Sequence, residues 1–365
     1  MRALQSCDMV GRYMIEGALG KGGFGAVYKA LDTKLRKTVA IKVLSDSEGA
    51  EESYTRFIHE IKSILQLHHP NIIQIFDYDL GGDTPFYAME YLKGEDLESL
   101  LHREKRLKLS SVFNLCQQLC GALHAVHQDG IIYRDLKPQN IFLVKTHTYH
   151  FVKLLDFGLA LAPDTSRVTG SGKVVGTPLF MSPEQITKPQ QLTARADIYA
   201  FGMLLFHMIT GEFPYTGEDR FELLRQHIME EPQLSHPLIS DEMKSFLERL
   251  LHKTPKERPE NMLSVWKELR RILIREMRRQ GTTSCDGIEV QKTYSIEGLP
   301  GVPLLSESHS ALWQTKEFHP GENSQVATSE VDVIVPAERG VEWLIPSAKE
   351  TIAKPDVSLL GSEEE

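Results

Sequence analysis

Short β-type runs separated by turns fill the first ninety residues, and helical periodicity takes over from about Gly94. Stretches 13–17, 26–32 and 38–44 predict strands, the last rich in β-branched residues. Between 51 and 67, Phe57, Ile61, Ile64, Leu65 and Leu67 recur at helical spacing. His68-His69-Pro70-Asn71 ends that helix, because the residue before a proline is steered out of the helical region. Strands near 72–79 and 86–90 follow. Further on, 110–128 is a long amphipathic helix and 192–211, almost wholly apolar, predicts a buried one; 218–230, 240–252 and 260–279 complete the helical set. A sheet-rich part of about 80 residues followed by a helix-rich part of about 180 predicts an α+β domain of two lobes. The cleft between lobes is a natural place for a ligand.

After residue 280 the periodicity dissolves. Residues 281–365 carry 15 acidic and 5 basic side chains, so the overall net charge of −9 resides in this appendage while the first 280 residues are nearly neutral. The tail reads either as a disordered or docking peptide, with Trp313, Trp343, Leu344 and Ile345 as its apolar points, or as a small β module pairing 331–335 with 341–345. No internal repeat is visible.

Composition narrows the class further. The chain of 365 residues is 41% hydrophobic and 25% charged, which excludes collagen-like, wholly disordered and disulfide-scaffold proteins. Of the four cysteines, Cys116 and Cys120 share an apolar helical face and Cys7 and Cys285 stand apart; buried thiols in a reducing compartment are expected. The basic cluster Arg270, Arg271, Arg275, Arg278 and Arg279 lies on one helix and reads as a solvated face, so no nucleic-acid partner is expected. The longest apolar run, 198–210, contains His207 and falls short of the roughly 20 residues that span a bilayer. The first residues lack the layout of a secretory signal. A cytoplasmic protein without a membrane span is expected.

Candidate chemistry begins at Gly20, Gly22 and Gly25, where glycines between two strands let the backbone approach a polyphosphate. Alone this is equally an ordinary glycine turn, and the strand–strand setting fits the dinucleotide fingerprint badly. Lys42 ends the β-branched run Val39-Ala40-Ile41; alone it is a surface lysine, unless an acid such as Glu60 on the 51–67 helix holds it against phosphate oxygens. The segment Tyr133-Arg134-Asp135-Leu136-Lys137-Pro138-Gln139-Asn140 is more specific. It gathers a carboxylate able to deprotonate a hydroxyl, a cation to offset phosphate charge, and an amide oxygen suited to a hard cation. Asp156-Phe157-Gly158 follows the apolar run 151–155 and supplies a second oxygen ligand.

Taken together and in this order, these motifs resemble the eukaryotic-type (Hanks-type) protein serine/threonine kinases, most closely their bacterial members. The resemblance covers 13–273, with an N-lobe 13–92 and a C-lobe 93–273, followed by the acidic tail 281–365. It implies a two-lobed kinase fold, ATP and Mg2+ as cofactors, and protein substrates. By motif position, Asp135 would be the catalytic base, Lys137 a γ-phosphate contact, and Asn140 and Asp156 the metal ligands, while Lys42 and Glu60 would position ATP. Gly20, Gly22, Gly25, Val27, Ala40, Met89 (the gatekeeper), Glu90, Leu92 and Phe142 would line the nucleotide site. Glu184 would pair with Arg258, Asp197 would brace the catalytic loop, Thr177 would lie near the substrate hydroxyl, and Ile64, Ile75, Tyr133 and Phe157 would form an apolar spine.

The chain departs from the family pattern in a few places. Tyr133 replaces the commoner histidine, Ser182 an alanine, and Phe142 a usually aliphatic residue beneath the adenine. Lysine two residues after Asp135 points to serine/threonine rather than tyrosine substrates. Arg134 invites a phosphate on the activation segment, where Thr165, Ser166, Thr169 and Ser171 offer hydroxyls, Thr169 and Ser171 being the activating pair expected. A kinase-fold scaffold working through its tail, or a small-molecule phosphotransferase, would be the alternatives.

Overall fold

The computed structural model describes residues 4–22, 25–44, 50–82, 84–145, 150–157 and 178–280. Its N-terminal lobe is one antiparallel sheet of β1 (Met9–Val10), β2 (Tyr13–Gly22), β3 (Gly25–Asp32), β4 (Lys37–Leu44), β5 (Ile75–Asp79) and β6 (Phe86–Glu90). The spatial order is β1-β2-β3-β4-β6-β5. Because successive side chains on a strand point to opposite faces, Ile15, Tyr28, Ala30, Ile41, Val43 and Ala88 build a small core on one face. Helix α1 (Ala50–Gln66) packs against β4 and β5, and its buried Phe57, Ile61 and Ile64 join Ile75 and Tyr87 in the larger core that continues into the second lobe.

That lobe comprises α2 (Leu97–Glu104), α3 (Leu109–Gln128), α4 (Pro183–Thr187), α5 (Arg195–Thr210), α6 (Arg220–Met229), α7 (Asp241–Leu250) and α8 (Met262–Arg279). A small antiparallel sheet of β7 (Gly94–Asp96), β8 (Ile141–Lys145) and β9 (His150–Leu154), in that order, completes it. Polar side chains start the helices at the expected positions: Asp96, Ser182, Asp219, Ser240 and Asn261 each accept a backbone N–H of the first turn. Helix α5 is buried almost throughout, and α3 packs along α8 with Phe113 edge-on to Trp266 at 5.2 Å. Gly202 of α5 lets α7 approach: a Cβ there would stand 2.9 Å from Leu250 Cβ.

Several elements differ from the periodicity reading. Strand β2 runs on through Gly20 to Gly22, because the hairpin with β3 stays paired to Gly22 opposite Gly25. The strand expected over 72–79 begins only at Ile75. Ile72 instead bridges Leu154 in parallel and Ile73 N–H donates to the Leu154 carbonyl, so these apolar residues belong to the junction with β9. Helix α2 and the β7–β9 sheet were not predicted; they are short, and only contact with the lobe specifies them. At the N-terminus, β1 lies ahead of residue 13, whereas α8 ends at Arg279, the bound expected from its periodicity. Among the described residues no helix is long and apolar enough to cross a membrane. Arg271, Arg275, Arg278 and Arg279 are exposed on α8, Arg275 paired with Glu242, as a solvated face requires.

Candidate active site

Lys42 sits in the middle of β4, opposite Val27 of β3 and Tyr87 of β6. The strand alternation that sends Ile41 and Val43 into the small core turns Lys42 to the other face, toward α1. Its ammonium donates to Glu60 Oε1 at 2.7 Å and to Asp156 Oδ1 at 2.6 Å. Burial works against the charged lysine, but the Asp156 and Glu60 carboxylates outweigh it and hold its pKa well above the ordinary value. Burial pushes Glu60 up against the pull of Lys42. Asp156 is held down, first by the Lys42 charge, and its side chain is exposed.

Around Asp135 the loop closes on itself. Lys137 Nζ lies 2.7 Å from Asp135 Oδ2, and Asn140 Nδ2 donates to both Oδ2 and the main-chain oxygen of Asp135, each at 2.9 Å. With its NH2 so committed, Asn140 has its Oδ1 left as an acceptor. Asp197, buried at the start of α5, takes Tyr133 N–H at 2.9 Å and Arg134 N–H at 2.8 Å, and His127 Nε2 from the end of α3 at 2.7 Å. Arg134 and Asp156 both have positive φ, 65° and 48°, uncommon for side-chain-bearing residues and characteristic of functional loops.

Ile64, Ile75, Tyr133 and Phe157 are all buried in one cluster, with the Tyr133 and Phe157 rings edge-on at 5.0 Å. The Tyr133 hydroxyl donates to the Leu155 carbonyl, a bond that a phenol at this position makes possible. Gly20 faces Val27 across the hairpin. At Gly25 a Cβ would run into the Val43 carbonyl, so glycine is the one residue that fits. Ala40 pairs with Met89; Ala40 is buried, while Val27, Met89, Leu92 and Phe142 are half-buried. Glu90 turns its carboxylate to Lys153 Nζ at 2.6 Å and to Gln74 N–H at 3.0 Å, which ties β6 to β9 across the lobe junction. Farther out, Arg258 grips Glu184 with two bonds of 2.6 and 2.8 Å, both groups buried, and its guanidinium lies 4.9 Å from the Tyr199 ring centre.

Sequence reasoning missed four participants. Tyr87 donates its hydroxyl to Glu60 Oε1 at 2.7 Å, His127 holds Asp197, Lys153 holds Glu90, and Gln185 donates to the Arg134 carbonyl at 2.8 Å. The available signal was a lone polar group inside an apolar run, such as the hydroxyl of Tyr87 between Phe86 and Ala88. Gly158, Thr165, Ser166, Thr169, Ser171, Thr177, Trp313, Trp343 and the whole 281–365 tail lie outside the described residues.

Residues 13–268 match the family model described as the protein kinase domain. Among curated relatives, the serine/threonine-protein kinase pkn3 of Myxococcus xanthus is 36% identical over 289 residues, covering 74% of this chain and 53% of that protein. The serine/threonine-protein kinase PknB of Mycobacterium leprae is 34% identical over 273 residues, 72% of this chain and 43% of its own. A probable serine/threonine-protein kinase of Clostridium acetobutylicum is 32% identical over 265 residues, 72% of this chain and 40% of its own. The chain thus spans about half the length of these relatives or less.

Proposed function

The chain belongs to the protein kinase family, and from that premise we propose that it transfers the γ-phosphate of ATP to serine and threonine hydroxyls of proteins. The observation that carries this is the Asp135 carboxylate, held by Lys137 and Asn140 in one loop, in a lobe whose Asp156 reaches Lys42 and, through it, Glu60. Phosphoryl transfer asks little covalent chemistry of a protein and a great deal of positioning and charge neutralisation. In this reading Asp135 orients the attacking hydroxyl and takes its proton, Lys137 faces the developing phosphate charge, and Lys42, kept protonated by two acids, binds the nucleotide phosphates. The Gly20–Gly25 hairpin covers those phosphates, while Val27, Ala40, Met89, Leu92 and Phe142 enclose the base beside the hinge at Glu90.

The donor set fits Mg2+. Asn140 Oδ1 and the exposed Asp156 carboxylate are hard oxygen donors, and this ion is usually bound by one or two carboxylates together with substrate phosphates. When bound, the ion neutralises phosphate charge. We assign the kinase domain to 13–273, place the protein in the cytoplasm, and read Thr169 and Ser171 as autophosphorylation sites whose phosphate would pair with Arg134. The 281–365 tail is read as a docking segment for a protein partner.

The test is incubation of the full chain with radiolabelled ATP, Mg2+ and a mixed protein substrate, followed by phosphopeptide mapping. Label is expected on serine and threonine, including Thr169 or Ser171, and Asp135→Asn is expected to lower the rate by about 10²–10⁴-fold, the usual worth of a positioned acid–base group. A wild type that binds ATP yet labels nothing would leave a kinase-fold scaffold as the better account.

A further inference from the structure

We infer that Gln185 is a positioning residue for the catalytic base, through the peptide group that precedes Asp135. The inference rests on the kinase reading of Asp135 and adds a residue to it. Gln185 stands in the first turn of α4, where it completes a capping box: Ser182 N–H donates to Gln185 Oε1 at 3.0 Å, and Gln185 N–H donates to Ser182 Oγ at 3.4 Å. For that box glutamate serves as well as glutamine, since only an acceptor is needed. The other end of the side chain has a separate task. Gln185 Nε2 donates to the Arg134 carbonyl at 2.8 Å, and an ionised glutamate has no hydrogen to give there.

The Arg134 carbonyl and the Asp135 N–H belong to one planar peptide group. Fixing that carbonyl therefore fixes the peptide on the N-terminal side of Asp135. On the C-terminal side, Asn140 Nδ2 holds the Asp135 carbonyl at 2.9 Å. The two peptide planes that set the φ and ψ of the base are thus each held by a side-chain amide. Preceding residue Arg134 sits at φ 65°, with its own N–H fixed by Asp197 Oδ1 at 2.8 Å. A left-handed residue beside the base is a place where the chain would relax if a restraint were removed. Gln185 is buried, so water is poorly placed to substitute for its amide. Its helix is anchored in turn by the Glu184–Arg258 pair. Through Gln185 the segment beginning at Ser182 and the loop carrying Asp135 share one geometry.

Two variants of the full chain test this, Gln185→Glu, which keeps the cap, and Gln185→Met, which keeps the length without either polar end. For both, kcat is expected to fall about tenfold or more, since a small misplacement of a catalytic group costs up to roughly 10²-fold. KM for ATP is expected to stay within about twofold, because no nucleotide contact is altered. Hydrogen–deuterium exchange of the peptide spanning 131–140 is expected to quicken in both, whether or not either is active. The thermal midpoint of Gln185→Glu is expected to fall modestly, because the Arg134 carbonyl loses its buried donor while the cap is kept.

The inference is overturned if either folded variant keeps its kcat within about twofold of the wild type, if the loss appears in KM for ATP alone, or if loop exchange is unchanged. Should Gln185→Glu fail to fold, the Gln185→Met kinetics and exchange decide. Those outcomes leave the kinase reading standing when the wild type is active and Asp135→Asn is not. An inactive wild type removes the kinase reading itself, and loop exchange then reports on the Gln185 restraint alone.

Discussion

At Glu60 one carboxylate oxygen receives two buried donors, the Lys42 ammonium and the Tyr87 hydroxyl. Burial pushes the phenol pKa far up, so Tyr87 remains a donor throughout the working pH range. Tyr87→Phe removes the hydroxyl but keeps the ring that packs on Phe57 at 5.3 Å. A hydrogen bond to a charged group is worth about 1.5–3 kcal/mol, part of which Lys42 recovers, so KM for ATP should rise roughly tenfold. Steady-state kinetics over a range of ATP concentrations checks this, and an unchanged KM would show that Lys42 alone holds Glu60. Residue by residue, the members of short contiguous motifs were legible in the sequence. Asp135, Lys137 and Asn140 are near enough along the chain that one loop must gather them, and the structure does so. Tyr87, His127, Lys153 and Gln185 were not legible, because each acts across a strand pairing or helix crossing that fixes its partner only after folding.

Among elements, those with a long periodic signature matched best. The helices expected over 110–128 and 240–252 appear as Leu109–Gln128 and Asp241–Leu250, and the strand over 86–90 is β6 itself. Strand β7, of three residues, and helix α2, of little more than two turns, carry too few alternations or turns to register, and the Asp96 cap of α2 was the one local sign. Gly202 sets how closely α5 and α7 approach. On helix propensity alone Gly→Ala gains about 1 kcal/mol. Here the new Cβ would press on Leu250 Cβ at 2.9 Å and Leu251 Cδ2 at 3.0 Å, and Cβ atoms cannot swing aside. Overpacking costs about 1–3 kcal/mol, so Gly202→Ala is expected to be net destabilising by roughly 1 kcal/mol. A urea midpoint that shifts upward in that variant would contradict the close approach.

For the molecule as a whole, two histidines withdrawn from water, His227 fully and His69 in part, contribute to the acid limb of stability. Burial, with Lys253 nearby, holds His227 down to about 3, and burial, with Lys153 nearby, holds His69 down to about 4. In the unfolded chain both protonate near 6.5. Between these values the unfolded state binds more protons, so stability is lost as pH falls below about 6.5. Each group contributes up to about 1.4 kcal/mol per pH unit. Urea midpoints should therefore decline from pH 7 to pH 4.5, and His227→Gln should decline less steeply. A variant with the same slope as the wild type would mean that His227 protonates in the folded protein as readily as in the unfolded one.

The C-lobe core also contains Cys116 and Cys120, both fully enclosed on the face of α3, with burial pushing their thiol pKa values far above normal. A thiol is modified as its thiolate and only where reagent can arrive. Alkylation of these two sulfurs must therefore wait until α3 parts from its neighbours. The extent of label at this pair, followed over time by mass spectrometry, counts the rare excursions in which the interior of the lobe comes open. The protein carries its own clock for them.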